Sequence, residues 1–138
     1  MTTTDAATPG IRVIRVSAAV ILDELGRLLL VRKAGTTAFM QPGGKPERGE
    51  RPDETLSREL AEELGVRIDA ATLRPLGVFE AAAANEPGFV VVADVFAADI
   101  GDQEPRPAAE IVELTWATHA DASRLEIAPL AREHFLPA

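Results

Sequence analysis

Residues 44–66 constrain this chain more than any other stretch. They read GKPERGERPDETLSRELAEELGV and carry seven carboxylates. Pro52 suits the first position of a helix, where a missing N–H costs nothing. Asp53 and Glu54 follow in the first turn, where the helix dipole favours negative charge. Gly65 accepts the left-handed conformation that ends a helix. The pattern predicts a helix over about residues 52–64, with Leu56, Leu60 and Leu64 forming its buried stripe.

Glu59, Glu62 and Glu63 then lie one helical turn apart on an arc beside that stripe. Each like-charge pair costs a helix roughly 0.2–0.5 kcal/mol, and Arg58, four residues before Glu62, relieves only part of this. A solvated acidic face is the ordinary explanation of such a run. Here the arc borders the buried stripe and follows a Pro42-Gly43-Gly44 loop that brings backbone close. A hard divalent cation with oxygen ligands stabilises such a cluster most simply, and Mg²⁺ is the expected ion, with Mn²⁺ as a substitute.

These residues resemble the Nudix box, the signature of the Nudix hydrolases. Its pattern is Gly, five residues, Glu, seven residues, then Arg-Glu-aliphatic-X-Glu-Glu-X-Gly-aliphatic. Gly44, Glu50, Arg58, Glu59, Leu60, Glu62, Glu63, Gly65 and Val66 fill every specified position. Chance would do so at a given start on the order of 10⁻⁹ of the time. The approach Phe39-Met40-Gln41-Pro42-Gly43-Gly44-Lys45 is also similar to the family's, except that Gln41 stands where an apolar residue is frequent.

The resemblance implies an α/β/α sandwich with a mixed sheet between helices. It implies a metal set of Gly44, Glu59, Glu62 and Glu63, and a Glu50–Arg58 salt bridge clamping the loop over the helix. Lys45 and Gly43 are the expected substrate contacts, although Lys45 reads equally as a solvated loop lysine. Glu59, Glu62, Glu63 and Glu110 are the expected catalytic carboxylates. Glu110, in a loop just before the last strand, is where the family often places an extra ligand or base. A solvated loop acid is the competing reading, and Glu80 and Glu113 rank behind it.

The implied reaction is Mg²⁺-dependent hydrolysis of a phosphoanhydride in a nucleoside diphosphate linked to another moiety. The family's ADP-ribose subgroup carries a proline about fifteen residues past the box, where this chain has Ala81 to Ala84. Its diadenosine-polyphosphate subgroup carries a downstream tyrosine, and this chain has none. A MutT-like (deoxy)nucleoside triphosphate pyrophosphohydrolase therefore leads, with an ADP-ribose or nucleoside-diphosphate-sugar pyrophosphatase as the alternative. A non-catalytic nucleotide sensor is the rival from another class; such domains usually lose box carboxylates, and all are present here.

At 138 residues the chain is expected to form one domain over residues 11–138, behind a loose tail of residues 1–10. A net charge of −8 argues against nucleic-acid polymers and anionic membranes as partners. A small anionic substrate stays open, because a bound cation inverts the local charge. There are no cysteines, so disulfides, zinc–thiolate sites and cysteine nucleophiles are excluded. The first ten residues lack an apolar signal-peptide core, and no apolar run reaches transmembrane length. Cytoplasm is the default compartment, and a homodimer is expected only by analogy with the family.

Along the chain, residues 12–22 and 28–32 read as strands joined in a hairpin by the turn at residues 23–27. Strands are expected at residues 73–80, 89–98 and 111–116, the second buried on both faces. A helix is expected at roughly residues 127–136, with Ile127, Leu130, Ala131 and Phe135 facing inward. Trp116 and Phe79 could stack on a base but read better as core. His119 and His134 read as structural. Arg15, Arg32, Lys33 and Arg74 are phosphate candidates that the sequence does not rank.

Overall fold

The computed structural model describes residues 12–138. The expected tail, residues 1–10, lies outside them. The strands are β1 (Arg12–Val20), β2 (Leu28–Lys33), β3 (Gly43–Gly44), β4 (Arg74–Ala82), β5 (Phe89–Ala97) and β6 (Ile111–Ala117). The helices are α1 (Pro52–Leu64) and α2 (Pro129–His134). Four strands form a mixed sheet in the order β3-β1-β5-β4, with β1 and β5 parallel and the other pairs antiparallel. β2 and β6 form a separate antiparallel ladder.

Alternation along the strands sorts side chains between two cores. Ala19, Ile21, Leu29 and Val31 pack with Leu56, Leu60 and Leu64 of α1. Leu28 and Leu30 pack with Ile127 and Ala131 on the other side, and Ala18, Ala93 and Val95 pack with Leu130 of α2. The helices thus cover opposite faces, the α/β/α arrangement expected. Each fully buried α1 leucine contributes about 1.5–3 kcal/mol by leaving water.

The expected β1–β2 hairpin does not form. Asp23 does close a turn, accepting from the backbone N–H of Leu25 and Arg27, and a single bridge joins Leu22 to Leu28. Beyond it the strands part, because β5 occupies one edge of β1 over its whole length and β3 the other. The last helix is shorter than expected. Phe39 holds residues 126–128 extended, its N–H donating to Glu126 and its carbonyl accepting from Ala128, so the helix starts at Pro129 and Ile127 precedes it. β5 is fully buried only toward its end. Residues 89–92 are half-buried, and Asp94 on the opposite face from Ala93 pairs with Arg15 at 2.8 Å.

Candidate active site and metal centre

Three carboxylates converge at one end of a cleft of about 440 Å³. Oxygens of Glu59, Glu63 and Glu110 all lie within 4.8 Å of one another. The first two come from α1, whose bounds are those its local chemistry predicts. Arg51 N–H donates to Glu54 Oε1 at 2.9 Å at the N-terminus. Gly65, at φ 67°, ends the helix in the left-handed region. At about 100° per residue, Glu63 lies about 40° from Glu59 on one side and Glu62 about 60° on the other. Only the Glu63 side faces the cleft. Glu62 is accordingly outside the cluster: its side chain is 52% exposed, with Oε1 3.3 Å from Arg58 Nη1.

Glu110 arrives by a backbone route. The last carbonyls of a helix have no partner within it. Here the Glu63 carbonyl accepts from Ala108 N–H at 2.9 Å and the Leu64 carbonyl from Arg106 N–H at 3.0 Å. This ties the loop to the end of α1. Ala109 then takes φ 53°, the one described non-glycine residue with positive φ, at a cost of order 1 kcal/mol. Glu110 follows, its carbonyl held by Ala34 N–H at 2.8 Å.

Glu63 is 1% exposed. Burial pushes its carboxyl up to about 8, although the Gly43 N–H donated to Oε1 at 3.1 Å favours the charged form. Burial also raises Glu59, against the nearby Arg58 guanidinium. Glu50 moves the other way, down to about 2, chiefly through its hydrogen bond with Arg58. Arg58 Nε meets Glu50 at 2.6 Å, Nη1 meets Glu59 at 3.2 Å, and Nη2 donates to the Lys45 carbonyl at 3.1 Å. This guanidinium thus contacts both the loop and the helix.

The glycines fit tightly. A Cβ on Gly44 would run into the Glu59 carboxylate, and one on Gly43 (φ 150°) into the Ser17 carbonyl and Ala18 backbone. Lys33 and Lys45 line the cleft beside the carboxylates. Lys33 was one of four unranked cations. Arg15 is instead paired with Asp94, Arg32 with Glu113, and Arg74 is exposed on β4.

Glu80 and Glu113 do not line the cleft, nor do Phe79 and Trp116, which pack in the cores. His119 is exposed, and exposed His134 lies 3.1 Å from the Glu80 carbonyl. Sequence reasoning passed over Ser17, whose hydroxyl donates to the Pro52 carbonyl at 2.9 Å, and the lining residues Ala82 to Glu86.

The donor set fits a hard divalent cation. It consists of carboxylate oxygens alone, and one of them, on Glu63, is buried. Glu59, Glu63 and Glu110 could hold such an ion.

Comparison with known proteins agrees with this geometry. Residues 12–138 match the family model described as NUDIX domain. A protein named "MutT-like protein" from Streptomyces ambofaciens is 30% identical over 119 residues, covering 86% of this chain and 72% of its own. A protein named "8-oxo-dGTP diphosphatase" from Haemophilus influenzae is 39% identical over 59 residues; the match spans 40% of this chain and 43% of that protein. The crystal structure of a MutT NUDIX hydrolase from Burkholderia pseudomallei aligns with TM-score 0.63 and 27% identity, over 76% of this chain and 82% of that one. That of a MutT protein from Methanosarcina mazei aligns over 86% of both chains with TM-score 0.66 and 23% identity, and shares the fold. With the whole described chain matched and each box position filled, this chain belongs to the Nudix domain family.

Proposed function

We propose that this protein hydrolyses a phosphoanhydride bond in a nucleoside diphosphate linked to another moiety, a (deoxy)nucleoside triphosphate first, with Mg²⁺ held by Glu59, Glu63 and Glu110. The observation that carries the reading is the convergence of those three carboxylates within 4.8 Å at one end of the cleft. The relative named as an 8-oxo-dGTP diphosphatase supports a triphosphate substrate. Mn²⁺ would serve as a substitute.

When bound, the divalent ion supplies charge neutralisation at the phosphates and a more acidic water. The chain's own residues do the rest. Glu110, the exposed member of the trio, takes the proton from the attacking water, assistance typically worth ~10²–10⁴-fold. Lys33 and Lys45 hold the phosphate charge. Gly44, against Glu59, keeps that carboxylate in line. Ile14, Val16, Val91 and Leu130 give the cleft apolar wall suited to a base.

The test is release of nucleoside monophosphate from a panel of triphosphates, sugar nucleotides and dinucleotides, with pyrophosphate, sugar phosphate or the second nucleotide as the respective co-product, with Mg²⁺ and with chelator. Metal-dependent turnover of a triphosphate is expected. No turnover across the panel, with binding retained, would leave a nucleotide sensor instead.

A further inference from the structure

Gln41 is a buried amide whose side chain carries an unpaired group. Gln41 is 7% exposed and lines the cleft. Its Nε2 donates to the Ala19 carbonyl at 3.0 Å. That bond fixes which end of the amide is which, since the reversed amide would set two oxygens together. Oε1 is then a buried acceptor without a hydrogen-bond partner, and the one such side-chain atom among the described residues. Burying an acceptor unpaired is costly, and an apolar side chain would avoid that cost.

The neighbours indicate which part of a ligand would meet it. Met40 packs in the α1-side core and Phe39 in the opposite core beside Ile127 and Ala131. Alternation of the extended chain assigns Gln41 to the Phe39 side, and the cleft it lines also carries the apolar Ala128, Leu130 and Ala131. A flat heterocycle with N–H groups on its edge meets both conditions, since its faces suit the apolar wall and its edge supplies a donor. Oε1 is buried in the ligand-free protein, so the contact requires the amide to turn about its broad terminal torsion as the base enters.

We propose that the Gln41 amide oxygen accepts a hydrogen bond from an N–H on the base edge of the bound nucleotide, and that this contact selects among nucleotides. The inference rests on the nucleotide reading above. It is tested by comparing the four deoxynucleoside triphosphates with purine deoxyriboside triphosphate, whose base has no N–H, in wild-type protein and Gln41→Leu. In wild type, kcat/KM for the best donor-bearing substrate is expected to exceed that for the purine analogue by roughly ten- to a hundredfold. Gln41→Leu is expected to remove most of that ratio and leave the purine analogue within about twofold; in stability, the gain from deleting an unpaired acceptor is offset by the lost Nε2 donor to the Ala19 carbonyl.

A wild-type ratio near one overturns the inference without any variant. So does an equal loss toward all substrates in Gln41→Leu, which marks a structural role. If that variant fails to fold, the Gln41 Cδ resonance in wild type decides. It is expected to move with a donor-bearing α,β-methylene triphosphate and to stay with the purine counterpart, and equal behaviour overturns the inference. If no triphosphate binds at all in the presence of Mg²⁺, the nucleotide reading fails and takes this inference with it. Binding that ignores base N–H groups removes the inference alone.

Discussion

Replacing Glu63 by glutamine should stabilise the metal-free protein at neutral pH while abolishing its activity. The Glu63 carboxyl is raised to about 8 from an ordinary 4.5, mainly by burial. An acid raised on folding gives stability that is complete below pH 4.5 and is lost as pH climbs from 4.5 to 8. In that window the unfolded chain is ionised while the folded one keeps the proton. At about 1.4 kcal/mol per pH unit, this group has lost the fold about 3 kcal/mol by pH 7. Glutamine carries no such proton. Its carbonyl can still accept the Gly43 N–H, and its amino group faces the Glu59 and Glu110 carboxylates.

The assay is denaturant unfolding of both proteins in EDTA at several pH values from 5 to 8. Wild-type stability is expected to fall with pH relative to the Glu63→Gln protein. The gap should be about 3 kcal/mol at pH 7, near 10 °C in melting temperature, and small at pH 5. A constant offset between parallel curves would reflect only how well the amide packs. Parallel curves would therefore refute the claim that an uncompensated buried carboxyl stands in this cluster.

Four other substitutions probe the same construction. Glu110→Gln should lower kcat by about 10²–10⁴-fold with little change in melting temperature, because backbone bonds hold its loop; steady-state pyrophosphate release and a thermal melt check both. Arg58→Ala should destabilise by about 2 kcal/mol, after allowance for its partial exposure, and raise the Mg²⁺ needed for half-maximal rate, as read by denaturation and metal titration. Gly43→Ala should destabilise by about 3 kcal/mol, since its Cβ meets backbone at a positive φ. Gly44→Ala meets only the end of Glu59 and should keep its fold but lose metal-dependent activity; matching melts for the two alanine variants would contradict this division.

The parts of the structure that were legible in the sequence are those fixed by neighbours in the chain. α1 runs over the expected residues because Pro52, the acidic first turn and Gly65 set its ends locally. The leucine stripe gave its buried face for the same reason. Sheet partnership was not legible. β1 pairs with β5 more than seventy residues on, and an apolar alternation states which face is buried but not which strand lies alongside. The final helix was overextended because its first residues are held by Phe39, far away in sequence.

The site divides in the same way. Helical spacing put Glu59, Glu62 and Glu63 on one arc, but not which side of the arc meets the cleft. That is decided by the Gly43 N–H and by the loop that brings Glu110, and both act through backbone atoms. Ala109 at positive φ has no composition signal, because alanine rarely takes that conformation. The unpaired oxygen of Gln41 depends on the Ala19 carbonyl opposite it, which no spacing rule could supply.

The chain carries a net charge of −8 and three converging carboxylates, yet is proposed to take a polyanion. Burial of Glu63 reconciles part of this. With its carboxyl raised to about 8, the cluster holds one proton more near neutrality than isolated acids would, so it repels an approaching phosphate less. A carboxylate must be ionised to hold a cation, so cation and proton compete for the same group. Below pH 8, Mg²⁺ binding should therefore release up to one proton from Glu63, and its affinity should rise toward tenfold per pH unit before levelling above. Calorimetric titration with Mg²⁺ in buffers of different ionisation enthalpy counts that proton directly. A proton count of zero at pH 6.5, with Mg²⁺ bound, would mean that the cation sits elsewhere and that Glu63 is buried for a reason unrelated to it.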